Sequence, residues 1–170
     1  MSPQHVVVDS PIGALTVVAD GGAITHLLMD AASHRPADPA IYGALGDPGT
    51  EPFASTVTQL AEYFAGTRDR FDLPIAPRGN DFQKRVWAML LEIPYGETRT
   101  YGELARALGG PGLAQAVGAA NGRNPIAVVV PCHRVIGADG ALVGYAGGLD
   151  RKRHLLALEE PPPLDGGRLF

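Results

Sequence analysis

Val6-Val7-Val8, Ile12 to Ala19 and Ile24 to Met29 are three short β-branched stretches within the first thirty residues, separated by Asp9-Ser10-Pro11 and Gly21-Gly22. Runs this short with turn residues between them predict an antiparallel meander. Beyond residue 80 the apolar residues fall mainly at helical spacing instead. The change of period implies an α/β chain of the α+β kind, a small antiparallel sheet unit followed by a mostly helical one. With 170 residues, 45% of them hydrophobic, such a chain can bury one moderate core or two small ones without disulfide staples. Its one cysteine, Cys132, cannot form a disulfide within the chain or anchor a Cys-rich zinc site. No metal and no cofactor are expected.

Residues 31–50 are rich in Ala, Pro, Gly and Asp without periodicity and read as a long surface loop. Val57, Leu60, Ala61 and Phe64 mark a helix over Phe53 to Phe64, and Phe71 to Ile75 would add another strand. The composition shifts around Pro77-Arg78-Gly79, which divides the chain into an N-terminal scaffold domain, 1–77, and a C-terminal domain, 78–170. In the latter, Phe82, Val86, Met89 and Leu90 predict an amphipathic helix ending near Ile93-Pro94, with Trp87 as a packing residue. Pro161-Pro162-Pro163 would stop the last helix. No apolar run reaches the roughly 20 residues a membrane span needs, and Met1 to His5 do not open a leader segment. A cytoplasmic monomer with no membrane partner is the expectation.

The net charge of −4 argues against nucleic-acid binding until it is divided along the chain. Residues 1–75 carry nine acids and three bases, net −6, whereas 76–170 carry nine acids and eleven bases, net +2. Any phosphate contact therefore belongs to the second half, with modest and salt-sensitive affinity.

Thr100 and Glu103 have the spacing of a capping box, so a helix should begin at Tyr101, turn Leu104, Ala105 and Leu108 inward, and stop at Gly109-Gly110. Pro111-Gly112 restarts the chain into a second helix over Leu113 to Asn121, which completes a helix-turn-helix. Leu113, Val117 and Ala120 form one face of that second helix. Gln115, Gly118, Ala119 and Gly122 form another that is nearly bare of side chains. A bare face permits close approach, either to an external surface or to another helix inside the protein.

Ile126 to Val130 reads as a buried strand that delivers Pro131-Cys132-His133-Arg134-Val135 at its end. A thiol attacks as the thiolate, and an imidazole can take its proton, so Cys132 and His133 are either a nucleophile with its base or an inert adjacent pair. Glu159 shares a helix face with Leu155 and Leu156. There it is either the carboxylate that orients His133 or a solvated helix-end residue.

Ile93-Pro94-Tyr95-Gly96-Glu97-Thr98, Ala116-Val117-Gly118, Asn121 to Pro125, Pro131 to Val135 and Tyr145-Ala146-Gly147-Gly148 together resemble the O6-alkylguanine-DNA alkyltransferase family. The match is close over about residues 80–160 and general over 1–77. It implies direct-reversal repair of double-stranded DNA containing O6-alkylguanine: the second helix enters the minor groove, the damaged nucleotide rotates out, and Cys132 takes the alkyl group irreversibly, once per molecule. By the same resemblance His133 accepts the thiol proton through a water, Glu159 orients His133, Tyr101 donates a hydrogen bond to the leaving base, and Asn124 supports the Cys132 loop as a hinge. Gln115, Ala116, Gly118, Ala119, Asn121 and Arg123 would contact DNA. The carbonyls of Cys132 and Val135 would hold the exocyclic amine, and Tyr145, Ala146 and Gly147 would wall the alkyl pocket. Contacts between neighbouring molecules on DNA are a further implication.

Two positions depart from the family pattern. Gln115 stands where an arginine usually enters the duplex, and it lacks the planar charge that stacks and attracts phosphate. Ala146 lacks a hydroxyl that some members carry. A non-catalytic sensor of alkylated DNA is the alternative that Gln115 keeps open, although relatives that only bind replace the cysteine. A Cys-His hydrolase of small acyl compounds is a third reading, with no recognisable oxyanion hole in the sequence.

Overall fold

The computed structural model describes residues 2–161, and its architecture is α+β. Strands β1 (Gln4–Val8), β2 (Leu15–Asp20) and β3 (Ala23–Met29) form the antiparallel meander, with Val6 opposite Val17 and Val17 opposite Leu27. Alternation along β1 buries Val6 and leaves Val7 exposed, so one face of this strand meets the core and the other meets solvent.

The sheet is mixed rather than purely antiparallel. Within the expected loop 31–50, a 3-10 turn (Pro39–Ile41) and a short strand β4 (Ala44–Leu45) form, and β4 pairs parallel to β1 to give the order β3-β2-β1-β4. The loop thus covers part of an edge that would otherwise expose unpaired backbone groups. The strand expected over Phe71 to Ile75 is absent. Only Ile75 bridges Ile24, with backbone bonds from Ile24 to Pro74 and from Ala76 to Ile24. Pro74 and Pro77 lack the N–H groups that a longer ladder would use.

Helix α1 (Phe53–Phe64) contributes Phe53, Leu60 and Tyr63 to the core. A capping box formed by Asn80 and Gln83 starts α2 (Asp81–Leu91), on which Trp87 is buried and donates its indole N–H to the Ala120 carbonyl at 2.9 Å. Strand β5 (Arg99–Thr100) leads into α3 (Tyr101–Leu108), whose Thr100–Glu103 capping box forms as the spacing predicts. Gly109, with φ of 152°, ends α3. After a 3-10 turn at Pro111–Leu113 comes α4 (Ala114–Gly122), packed against both α2 and α3. Strand β6 (Val135–Ile136) pairs parallel to β5, and α5 (Leu149–Glu159) is the last helix described. Pro162 and Pro163 lie outside the described residues.

Ile126 to Val130 is buried but is not a strand. Ile126 alone bridges Leu27, and the rest folds into tight turns: Val130 N–H donates to Ile126, Val129 to Ala127, and Cys132 to Val130. Asn124 completes the backbone pairing, donating from Nδ2 to the Val130 carbonyl at 2.8 Å and accepting the Ile126 N–H at 3.0 Å. Val128 adopts φ of 71°, in the left-handed region that a β-branched residue rarely visits. Such a conformation costs about 1–3 kcal/mol and persists only where surrounding packing fixes it. Here the turns place Cys132 against a core that runs unbroken from Val17 and Leu27 to Trp87, Val117 and Leu155.

Candidate active site

Cys132, His133 and Arg134 occupy one 3-10 turn, and all three are buried. Cys132 is one of the residues that line a cavity of about 240 Å³. Burial pushes this thiol above its ordinary pKa, opposed by the Asn124 amide and the charge of Lys152. It rests as a thiol and needs a base.

The base is beside it in sequence and fully buried. His133 Nε2 lies 2.7 Å from Glu159 Oε2. Glu159 arrives from the end of α5 and receives several donors: Arg134 Nε at 2.7 Å on Oε1, and Arg134 Nη2 at 3.1 Å and the Tyr63 hydroxyl at 2.5 Å on Oε2. Burial alone would raise the Glu159 pKa, but the bonds from His133, Arg134 and Tyr63 outweigh it and hold the group at about 2. An ionised Oε2 fixes the His133 proton on Nε2. Nδ1 is left as the acceptor, and it has no partner among the described residues. Burial lowers the His133 pKa, with Arg134 and Lys152 adding to the effect and Glu159 opposing it, so the ring is a neutral base at physiological pH.

The cavity is walled by Met29, Asn121, Asn124, Tyr145, Ala146 and Gly147, among others. The Tyr145 hydroxyl is buried without a hydrogen-bond partner among the described residues, and burial together with the Cys132 sulfur pushes its pKa well above the usual phenol range. Gly147 approaches Met29 so closely that a Cβ there would sit 2.4 Å from Sδ, so this wall tolerates no side chain without moving the Met29 side chain or the loop. A second cavity of about 230 Å³ lies alongside, between Tyr101, Gly118 and the Tyr145 loop.

Residues 5–77 match the profile described as 6-O-methylguanine DNA methyltransferase, ribonuclease-like domain, and residues 81–161 match that described as 6-O-methylguanine DNA methyltransferase, DNA binding domain. The chain belongs to the O6-methylguanine DNA methyltransferase family. The methylated-DNA–protein-cysteine methyltransferase of Mycobacterium tuberculosis is 54% identical over 153 residues, 90% of each chain. That of Methanosarcina barkeri is 48% identical over 154 residues, 91% of this chain and 95% of its own. The crystal structure of M. tuberculosis OGT in complex with DNA matches with a TM-score of 0.85 at 52% identity, covering 92% of both chains. The family reaction, which this chain carries out, repairs O6-methylguanine in DNA by moving its methyl group to a protein cysteine.

Within this methyltransferase fold, Tyr101 opens α3 and lines the second cavity, its hydroxyl donating to the Val143 carbonyl at 3.3 Å. Burial raises its pKa, and Cys132 adds to the rise. On α4, Gln115, Ala116 and Ala119 are exposed, as is Arg123 just beyond it. A Cβ at Gly118 would make only ordinary contact with the Tyr101 ring, and one at Gly122 would meet nothing, so the bare face is not packed inside the protein. Asn121 differs from the expectation of a DNA-facing side chain. It is buried and donates from Nδ2 to the Cys132 carbonyl at 3.3 Å. Val135 is buried too, so only its backbone can serve a ligand. Both carbonyls expected to hold the exocyclic amine already accept donors, Cys132 from Asn121 Nδ2 and the Val135 N–H, and Val135 from Lys152 at 2.6 Å.

The sequence reading assigned no role to Arg134, Tyr63 or Lys152. Lys152 is buried, and its ammonium donates to the carbonyls of Val135, Val143 and Gly144, tying the Cys132 turn to the Tyr145 loop. Its signal was legible, since Lys152, Leu155 and Glu159 share a helical face. Arg134 stood inside the Pro-Cys-His-Arg motif, whereas nothing in the sequence links Tyr63 to residue 159.

Proposed function

We propose that Cys132 is the methyl acceptor and that His133 and Glu159 are its base and orienter. The observation that carries this is one buried chain of groups: a carboxylate whose pKa is held at about 2, an imidazole committed to it through Nε2, and an Nδ1 without a partner among the described residues, on the residue that follows the only cysteine of a protein-cysteine methyltransferase. The thiol proton passes through a water to Nδ1, the sulfur forms a bond to the methyl carbon, and the C–O6 bond breaks with its electron pair left on the guanine. Tyr101 supplies a hydrogen bond to the departing base. The thioether has no leaving group comparable to guanine, so each molecule reacts once.

Asn124 holds the Cys132 turn through the Val130 carbonyl, and the Tyr145-Ala146-Gly147 loop walls the alkyl pocket. The nucleic-acid partner is double-stranded DNA carrying O6-alkylguanine, read from the minor groove by α4, where Gln115, Ala116, Gly118 and Ala119 approach the duplex and Arg123 meets phosphate. A minor groove about 6 Å wide favours such a face. The lesion reaches Cys132 by rotating out of the stack. The protein acts as a monomer built of domains 1–77 and 78–170, with contacts between neighbours arising only on DNA.

Intact mass after incubation with a duplex containing O6-methylguanine tests this reading. A gain of one methylene equivalent, mapped to Cys132 and absent from Cys132→Ser, is the expected result. Binding without mass gain would replace it with the sensor reading.

A further inference from the structure

We infer that Tyr63, on α1 of the N-terminal segment, is a positioning residue for alkyl transfer that acts through Glu159 to set the basicity of His133. The inference rests on the reading of His133 as the base. Tyr63 is fully buried, and its hydroxyl donates to Glu159 Oε2, the same oxygen that receives His133 Nε2. Arg134 Nη2 also reaches this oxygen, at 3.1 Å, so three donors compete for its electron density, and what Tyr63 withdraws through the shortest of these bonds is not available to stabilise a charged imidazole. Arg134 has little freedom to take over from Tyr63. Its bond to Oε2 is the longer one, and its guanidinium is already held by Glu159 Oε1 through Nε and by the Ile93 carbonyl through Nη1, over the Tyr95 ring at 5.8 Å.

The placement of Tyr63 is itself fixed. Its ring packs edge-on against Phe64 at 5.2 Å and Tyr95 at 6.3 Å, and tilted against Phe71 at 5.3 Å, so the hydroxyl has little freedom to turn away. Burial and the Glu159 charge keep its proton on the phenol, which leaves donation as its only role toward the carboxylate. The N-terminal segment therefore does more than brace the fold. It supplies one of the hydrogen bonds that tune the reacting centre, and loss of contact between α1 and α5 would change the chemistry without moving Cys132.

The charged and titratable groups around this centre are Tyr63 from α1, Tyr95 from the turn after α2, Cys132, His133 and Arg134 from the 3-10 turn, and Lys152 and Glu159 from α5. Removing the Tyr63 hydroxyl leaves more negative charge on Oε2 for the imidazole, so His133 binds its proton more tightly. Protonated His133 cannot accept the thiol proton, and the acid limb of the transfer rate moves to higher pH.

The test is single-turnover methyl transfer from duplex O6-methylguanine by wild type and Tyr63→Phe across pH 5.5 to 9, with DNA affinity and the melting temperature measured alongside. The expected result is a loss of about three- to tenfold at the acid end, corresponding to a limb shift of about half to one unit, which fades to within about twofold at the alkaline end. DNA affinity is unchanged. Replacing Tyr63 with 3-fluorotyrosine keeps the packing and strengthens the donor, and moves the limb the opposite way. In a Glu159→Gln background, Tyr63→Phe has no further effect on the profile. An equal loss at every pH, or no loss, overturns the role of Tyr63. A wild-type profile with no acid limb, or a His133→Ala variant that transfers at the wild-type rate, overturns the base assignment from which it follows.

Discussion

Helix α4 and the turn that carries Cys132 touch through Asn121, yet they are built on opposite terms. On the outward face of α4, Gln115, Ala116 and Ala119 are exposed, and Gly122 has nothing near its Cα to receive a side chain. Around the Cys132 turn, His133, Arg134 and the Glu159 of α5 are all buried, and of their side-chain nitrogen and oxygen atoms only His133 Nδ1 lacks a partner among the described residues. A surface that must fit many duplex sequences gains from having few directional groups. Proton transfer from a thiol gains from having each group committed in advance, where few waters compete. The contrast predicts that substitutions in the turn alter chemistry and stability with little effect on DNA binding, and that substitutions on the α4 face do the reverse.

The sharpest break is Cys132→Ser. It is expected to abolish transfer completely while leaving affinity for a lesion-bearing duplex within about twofold of wild type, because the thiol contributes no charge or bulk to the docking face. Parallel mass spectrometry and fluorescence anisotropy check both halves. A large loss of affinity would mean that the two regions are not separable.

Glu159→Gln is expected next in size, with a fall of about 10²-fold in the transfer rate, since the imidazole loses the anion that fixes its tautomer. It should also change the acid response of the fold. Glu159 ionises at about 2 in the folded protein against 4.5 as an isolated side chain. The stability this represents, about 3 kcal/mol, is fully present above pH 4.5 and is lost as pH falls toward 2. Thermal melts of wild type should steepen in their pH dependence below about pH 4.5, and Glu159→Gln should be less stable at neutral pH but flatter through that window. Parallel pH profiles for the two proteins would rule out the ion cluster as a source of acid sensitivity.

How far these properties could be read from sequence differs between the two regions for a physical reason. The α3–α4 pair is written locally: Thr100 and Glu103 cap, Gly109 stops, Pro111 restarts, and Val117 and Ala120 repeat at helical spacing, so its start and end fall within a residue or two of expectation. The Cys132 turn is written non-locally. Ile126 to Val130 has the composition of a strand, but what decides its shape is the amide of Asn124, the single bridge to Leu27 and a core that closes on every side. Asn121 is expected at the DNA from the family resemblance, and only packing reveals that its side chain turns inward to the Cys132 carbonyl. Tyr63 is further out of reach, since a contact across 96 residues leaves no periodic trace.

On the α4 face, Ala119→Glu should reduce DNA affinity by about tenfold at low salt through repulsion from phosphate. Ala119 is exposed in a helix, so stability should stay within about 0.5 kcal/mol. The transfer rate at saturating DNA should be close to wild type. A lower saturated rate with unchanged affinity would place Ala119 in the chemistry and dissolve the division between the two regions.

Gln115→Arg tests the same face in the opposite direction and should have the smallest effect. Glutamine can fill space and hydrogen-bond, but it brings neither the permanent charge nor the planar stacking surface of a guanidinium. Gln115 is exposed, so the substitution needs no repacking. The variant should bind duplex DNA a few-fold more tightly, and the dependence of log affinity on log salt should steepen by about 0.9 if one phosphate contact is gained. Faster repair at limiting DNA with the saturated rate unchanged would show that arginine improves capture. A faster saturated rate would mean that it also helps hold the lesion outside the stack, and α4 would then share in presenting the base to Cys132. Equal affinity and equal repair rates would show that the glutamine performs as well as arginine here, and that a face with few directional groups is sufficient for this enzyme's contact with DNA.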